Sequence, residues 1–124
     1  MEYAKSIGID VIVTDHHEPL EQLPNCLCID CKIKNQNYPF KYLCGAGMAL
    51  KVVCAMSDYE TAKKYMTICA ISTISDIVEL IDENRFIVVE GLRLFEKNCP
   101  KGLKALISKL KITDVPTSSD ISYR

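Results

Sequence analysis

The chain predicts an α/β fold, part of a mostly parallel sheet flanked by helices. Three observations carry this. Two short apolar runs, Ile9–Thr14 and Cys26–Asp30, lie close to the N-terminus. Several segments with apolar residues at helical spacing surround and follow them. The first run is almost wholly apolar rather than alternating, as expected for a parallel strand covered on both faces.

Met1 to Ser6 reads as the last turns of a helix, with Gly8 available for the turn that ends it. Ile9–Thr14 (IDVIVT) follows as a β-branched strand buried on both faces, and Asp15-His16-His17 comes directly after it. Glu18 to Pro24 is a loop marked by its prolines, and Cys26–Asp30 (CLCID) is a second strand. Lys32 to Tyr42 is polar, contains Pro39 and reads as loop.

Gly45-Ala46-Gly47 opens a helix to about Met56, with Ala49, Val52, Val53 and Met56 on one face. Ser57-x-x-Glu60 matches a capping box and starts a third helix reaching about Ala70. Asp76 follows in the apolar stretch Ile71–Leu80. A fourth helix runs from Asn84 to about Lys97 and is ended by Pro100. Leu103, Leu106, Ile107 and Leu110 repeat at i, i+3, i+4, i+7 and define a short fifth helix. The last ten residues show no period and read as a loose end.

The chain has 124 residues, enough for one domain and a sizeable core. At 48% hydrophobic and 25% charged it is neither disordered nor fibrous. A formal charge of −1 excludes nucleic-acid binding through bulk charge, although local patches remain open. No apolar run is long enough to cross a membrane, and no secretory signal is present. Seven cysteines without such a signal point to free thiols in a reducing, cytoplasmic setting. Cys26, Cys28, Cys31 and Cys44 match structural zinc spacings poorly, so buried free thiols are expected instead.

Four features are candidates for chemistry. Asp15-His16-His17 lies where the first strand ends, and open α/β sheets bind ligands beyond the carboxyl ends of their strands. Carboxylate and imidazole together suit manganese, iron or zinc, and an added carboxylate suits magnesium. A polar loop that binds nothing is equally compatible with the residues alone. Asp76 is a carboxylate in apolar surroundings, costly unless it is paired or metal-bound, or unless it caps a helix N-terminus. Gly45-Ala46-Gly47 would let a phosphate approach the start of a helix, or would serve close packing. Two basic stretches, Lys32–Lys51 and Arg93–Lys111, are solvated faces or tracks for a nucleic-acid backbone.

The residues also carry a family resemblance. Val11–Pro19, containing Asp15-His16-His17, resembles the signature of the DHH phosphoesterase superfamily. Leu43–Lys51, Ser72–Leu80 and Glu83–Leu92 resemble the RecJ family of single-strand-specific exonucleases within it. The resemblance implies metal-dependent degradation of single-stranded DNA from the 5′ end, in DNA repair and recombination, with Mn²⁺ or Mg²⁺. It implies Asp15, His16, His17 and Asp76 as catalytic-site residues, with His16 and Asp76 as the metal ligands. Cys44 stands where the family has a small residue, and Asp30-Cys31 where Asn-Pro is common.

By the same resemblance, residues 1–124 form the central and C-terminal portion of a DHH-type phosphoesterase domain, truncated at both ends. An Asp-x-Asp motif is expected ahead of Met1. Two protein ligands hold such ions weakly, so the chain alone is expected to be inactive. An unpaired sheet edge makes self-association of the fragment an expectation as well. Two other functions remain open: a phosphodiesterase for short oligonucleotides or cyclic dinucleotides, and a non-catalytic module binding DNA or protein.

Overall fold

The computed structural model describes residues 1–34, 36–112 and 114–123. Ten elements follow in the order α1 (Glu2–Ser6), β1 (Ile12–Thr14), β2 (Leu27–Ile29), α2 (Gly45–Met56), α3 (Tyr59–Lys63), α4 (Met66–Ser75), α5 (Asp82–Arg93), α6 (Phe95–Asn98), α7 (Lys101–Lys109) and α8 (Ser118–Tyr123). The architecture is α/β. β1 and β2 pair in parallel, with Ile12 opposite Leu27, Val13 opposite Cys28 and Thr14 opposite Ile29. The Asp15 N–H donates to the Ile29 carbonyl at 3.0 Å, carrying the ladder one residue past β1.

The strands are shorter and barer than the sequence predicts. Strand geometry covers Ile12–Thr14 alone, and Ile9 and Ile12 are 53% and 62% exposed. Burial on both faces requires a layer on each side and a neighbour at each edge. Here β1 has β2 on one edge, and the side chains of Ile12, Leu27 and Ile29 line an open apolar groove with Met48 and Val52 of α2.

The core lies instead among the helices. Leu43, Met48, Leu50, Ala62, Met66, Cys69, Ala70 and Ile87 form the main buried cluster. Phe95, Cys99 and Ile107 form a smaller one beneath α7. The pairing of α4 with α5 is the most extensive between helices. Gly91 sets their approach: a methyl group there would overlap Ala70 Cβ and come within 2.5 Å of the Met66 carbonyl oxygen. The buried Thr67 hydroxyl donates to the Gly91 carbonyl at 2.9 Å and locks the crossing.

Helix boundaries depart from the sequence pattern at four places. Ser57 does not cap the third helix; its hydroxyl donates back to the Val53 carbonyl at 2.6 Å and closes α2. Asp58 is the N-cap, accepting from the Thr61 N–H at 2.7 Å. The segment to Ala70 is then split, α3 ending at Lys63 and α4 running on to Ser75. The fourth helix begins at Asp82 and breaks at Leu94, between α5 and α6. The end of the chain is not loose, because Ser118–Tyr123 is helical. Thr117 and Asp120 cap it reciprocally: the Thr117 N–H donates to Asp120 Oδ2 at 3.0 Å and the Asp120 N–H to Thr117 Oγ1 at 3.2 Å.

All seven cysteines are free. Among the described residues no helix is long and apolar enough to cross a membrane.

Candidate metal centre

The site begins with a carboxylate that shapes its own loop. Asp15 Oδ1 accepts from the His16 N–H at 2.8 Å, from the His17 N–H at 3.3 Å and from His17 Nδ1 at 2.7 Å. These bonds turn the chain as it leaves β1. They also hold the Asp15 carboxyl down at about 2, the His17 ring being the largest cause and the His16 N–H the next. His17 itself is mostly exposed. The two imidazoles lie against each other with ring centroids 4.3 Å apart.

His16 points the other way, inward. Its side chain is 20% exposed, and its Nδ1 lies 3.6 Å from Asp76 Oδ2. The two residues are sixty positions apart, so the fold and not the local chain unites them. The opposite edge of the His16 ring rests on the first turn of α2. A Cβ on Gly45 would lie 3.3 Å from His16 Cδ2 and 3.7 Å from Nε2. A Cβ at position 45 would therefore require the imidazole to give by a few tenths of an ångström.

Asp76 is not a helix N-cap. It is the C-cap of α4, where the helix dipole is negative. A carboxylate there is disfavoured by about 0.3–1 kcal/mol. The next residue, Ile77, has φ 57° and a side chain 90% exposed. A β-branched residue in the left-handed region costs about 1–2 kcal/mol, and glycine is the usual choice at that position. Two successive unfavourable choices hold a carboxylate beside an imidazole. That combination concentrates negative potential and suits a cation.

Asp15, His16 and His17 present ligand atoms that all lie within 4.8 Å of one another. It is the one such cluster of three or more His, Cys, Asp or Glu residues among those described. The cysteine set is not gathered. Cys31 Sγ donates to the Lys41 carbonyl at 3.4 Å, while Cys44 Sγ lies 3.3 Å from Thr73 Oγ1. Cys26 and Cys28 sulfurs lie 3.9 Å apart, but among the described residues the four cysteines do not gather into one group.

Sequence reasoning passed over two neighbours of this centre. Asp30 follows β2 as Asp15 follows β1, so the parallel register places them side by side at one edge. Its buried carboxylate accepts from the Lys32 N–H at 2.8 Å. A carboxylate ending each of two adjacent apolar strands was the available signal. Cys44 is the N-cap of α2, its sulfur accepting from the Gly47 N–H at 3.4 Å. The Cys69 thiol foremost, then the Thr73 hydroxyl and the N–H groups of Gly47 and Ala46, push the Cys44 thiol down, while Cys69 is pushed up. Gly45-Ala46-Gly47 serves close packing: Gly45 seats His16, and Gly47 lies under Leu43.

The basic stretches are partly consumed by the fold. Lys32 pairs with Glu18 at 3.3 Å, Lys51 with Glu83, and Arg93 with Glu90 at 2.7 Å. Lys101, Lys109 and Lys111 are exposed and form no ion pair among the described residues.

Comparison with known proteins agrees with this geometry. Residues 1–73 match the model of the DHH family, N-terminal domain. The single-stranded-DNA-specific exonuclease RecJ of Bacillus subtilis (strain 168) is 42% identical over 118 residues, 94% of this chain and 15% of the relative. The RecJ of Escherichia coli (strain K12) is 31% identical over 123 residues, 86% of this chain and 21% of the relative. A crystal structure of exonuclease RecJ bound to manganese superposes with a TM-score of 0.83 at 27% identity, over 99% of this chain and 32% of that one. The chain thus spans about a fifth or less of the length of these two curated relatives. It belongs to the DHH family and carries the RecJ form of that fold.

Proposed function

We propose that this chain contributes part of the divalent-metal site of a RecJ-like exonuclease that degrades single-stranded DNA 5′ to 3′ in repair and recombination. The observation that carries the reading is the 3.6 Å approach of His16 Nδ1 to Asp76 Oδ2, assembled from two distant segments. In this reading residues 1–124 are the central and C-terminal portion of a DHH-type domain. Further carboxylates come from outside them.

The donor set fits the expected ion in kind. Imidazole and carboxylate oxygen suit Mn²⁺, and carboxylate oxygen suits Mg²⁺. It falls short in number, because a pair of divalent ions needs several carboxylates and the site offers Asp15 and Asp76, with Asp30 beside them already accepting from the Lys32 N–H. His16 and Asp76 are the ligands. Asp15 holds the loop through its three accepted hydrogen bonds and keeps its negative charge at any physiological pH. His17, exposed on the outer side, is the group placed to meet a phosphate. A bound divalent ion would make water a competent nucleophile at neutral pH and would stabilise the charge that develops on the phosphodiester. Lys34, Lys97, Lys101, Lys109 and Lys111 are among the exposed cations available to attract a DNA backbone.

The test is hydrolysis of 5′-labelled single-stranded DNA with Mn²⁺, comparing the 124-residue chain with a longer protein that carries the added carboxylates. The chain alone is expected to be inactive. The longer protein should digest long single strands and lose at least a hundredfold in rate on His16→Ala or Asp76→Asn. Activity restricted to short oligonucleotides would favour a different phosphodiesterase. Hydrolysis by the chain alone that disappears on His16→Ala would show that the site is complete without further carboxylates.

A further inference from the structure

Asn84 is wholly enclosed, yet it is the third residue of a surface helix, α5. Its Nδ2 donates twice, to the Tyr42 carbonyl at 2.7 Å and to the Glu79 carbonyl at 2.9 Å. Its Oδ1 is buried and has no hydrogen-bond partner among the described residues. The two donated bonds stabilise modestly, and the unsatisfied buried oxygen costs a comparable amount. These effects nearly cancel. The amide therefore adds little to stability over an apolar residue in the same space.

What it does provide is a geometric link. Tyr42 stands three residues before Gly45, the residue that seats the His16 ring. Glu79 stands three residues after Asp76, beyond the strained Ile77. Both segments are irregular and have no ladder to fix them. One side chain thus ties the segment that follows Asp76 to the segment that leads into Gly45, against which the His16 ring rests.

We propose that Asn84 is the positioning residue of this centre: it clamps the Asp76 segment to the Gly45 segment and so sets the cation affinity of the His16–Asp76 pair. The inference rests on the metal-site reading above and deepens it. Removal of the clamp lets Asp76 drift on its exposed turn, so the two ligand atoms no longer meet without an ordering cost.

The experiment uses the 124-residue chain and its two histidines, whose imidazole proton signals His17→Asn tells apart. Two quantities are read by NMR: the NOE between the His16 ring and the Gly45 α-protons, and the Mn²⁺ concentration that half-broadens the His16 signals. Asn84→Asp keeps the volume but turns an oxygen toward both carbonyls; Asn84→Ala removes the clamp should the charged variant not fold. Thr67→Val serves as the comparison, because it deletes an equally buried hydrogen bond at the far end of α4.

The expected result is loss of the NOE and at least a tenfold weaker Mn²⁺ response in the Asn84 variants. Thr67→Val should lower Tm and leave both readings unchanged. If the Asn84 variants lose Tm only, with the NOE and Mn²⁺ response intact, Asn84 is structural and the proposal is wrong. If Mn²⁺ broadens neither histidine in the unsubstituted chain, the metal reading fails. The NOE comparison then still decides whether Asn84 positions the loops.

Discussion

The α4–α5 pair and the β1–β2 sheet edge are built on opposite terms. The helices meet at Gly91, where backbone and side chains touch so closely that one added methyl has no room. The strands are three residues each and leave Ile12 and Leu27 about 60% exposed. The site draws on both regions, His16 from the end of the bare strand and Asp76 from the end of the packed helix. Cohesion of this chain therefore resides in the helices, and the sheet edge presents residues without contributing much burial.

That contrast breaks first at Gly91. Gly91→Ala should destabilise the chain by about 3 kcal/mol, because the overlap involves the Met66 backbone and not a flexible side-chain tip. Urea denaturation measures it, and a loss under about 1 kcal/mol would mean that α4 and α5 slide apart cheaply.

A smaller effect of opposite sign is expected at Ile77. Ile77→Gly releases the left-handed strain, offset by the entropy glycine loses on folding, for a net gain of about 0.5–1 kcal/mol. A raised Tm confirms it. A lowered one would show that the exposed isoleucine makes a contact worth more than the strain.

On the sheet side, Ile12→Ser and Leu27→Ser should each change stability by no more than about 0.5 kcal/mol. The same two substitutions should reduce self-association in sedimentation velocity, since both residues line the apolar groove beside α2. A large stability loss with unchanged association would reverse the assignment of the core to the helices.

The smallest effect is acid-dependent. Folding lowers the Asp15 carboxyl to about 2, so the stability it contributes is present above the ordinary carboxylate range. That stability is lost as pH falls toward 2. Asp15 is half exposed, which keeps the contribution small. His17→Ala should flatten this acid limb in pH-dependent urea titrations, and an unchanged limb would assign it to other carboxylates.

Much of this was legible before the fold was known. The helical spacing in α2 and α7 matches helices of the structure, and His16 of the polar triplet lies beside Asp76. What escaped has definite causes. Ser57 and Asp58 are adjacent cap-forming residues, and spacing alone cannot tell which one closes α2 and which opens α3. Strand burial depends on neighbouring layers, and an apolar run reports only its readiness to accept them. The final helix had a visible signal, Thr117-Ser-Ser-Asp120, which is a capping pattern hidden in a polar stretch. The small residues at Gly45-Ala46-Gly47 fit either a phosphate or close packing, and the structure shows packing, although the partner at Gly45 is an imidazole rather than a helix. No sequence pattern encodes a contact between residues 16 and 45.

The central claim is that His16 and Asp76 act as one cation site. Mn²⁺ titration of the chain against Asp76→Asn tests it most directly, with the His16 and His17 imidazole signals read separately. The account predicts that His16 broadens at lower Mn²⁺ than His17, and that Asp76→Asn raises the concentration needed at His16 by about tenfold, equivalent to about 1.4 kcal/mol. Equal broadening of the two histidines, unaffected by Asp76→Asn, would contradict it.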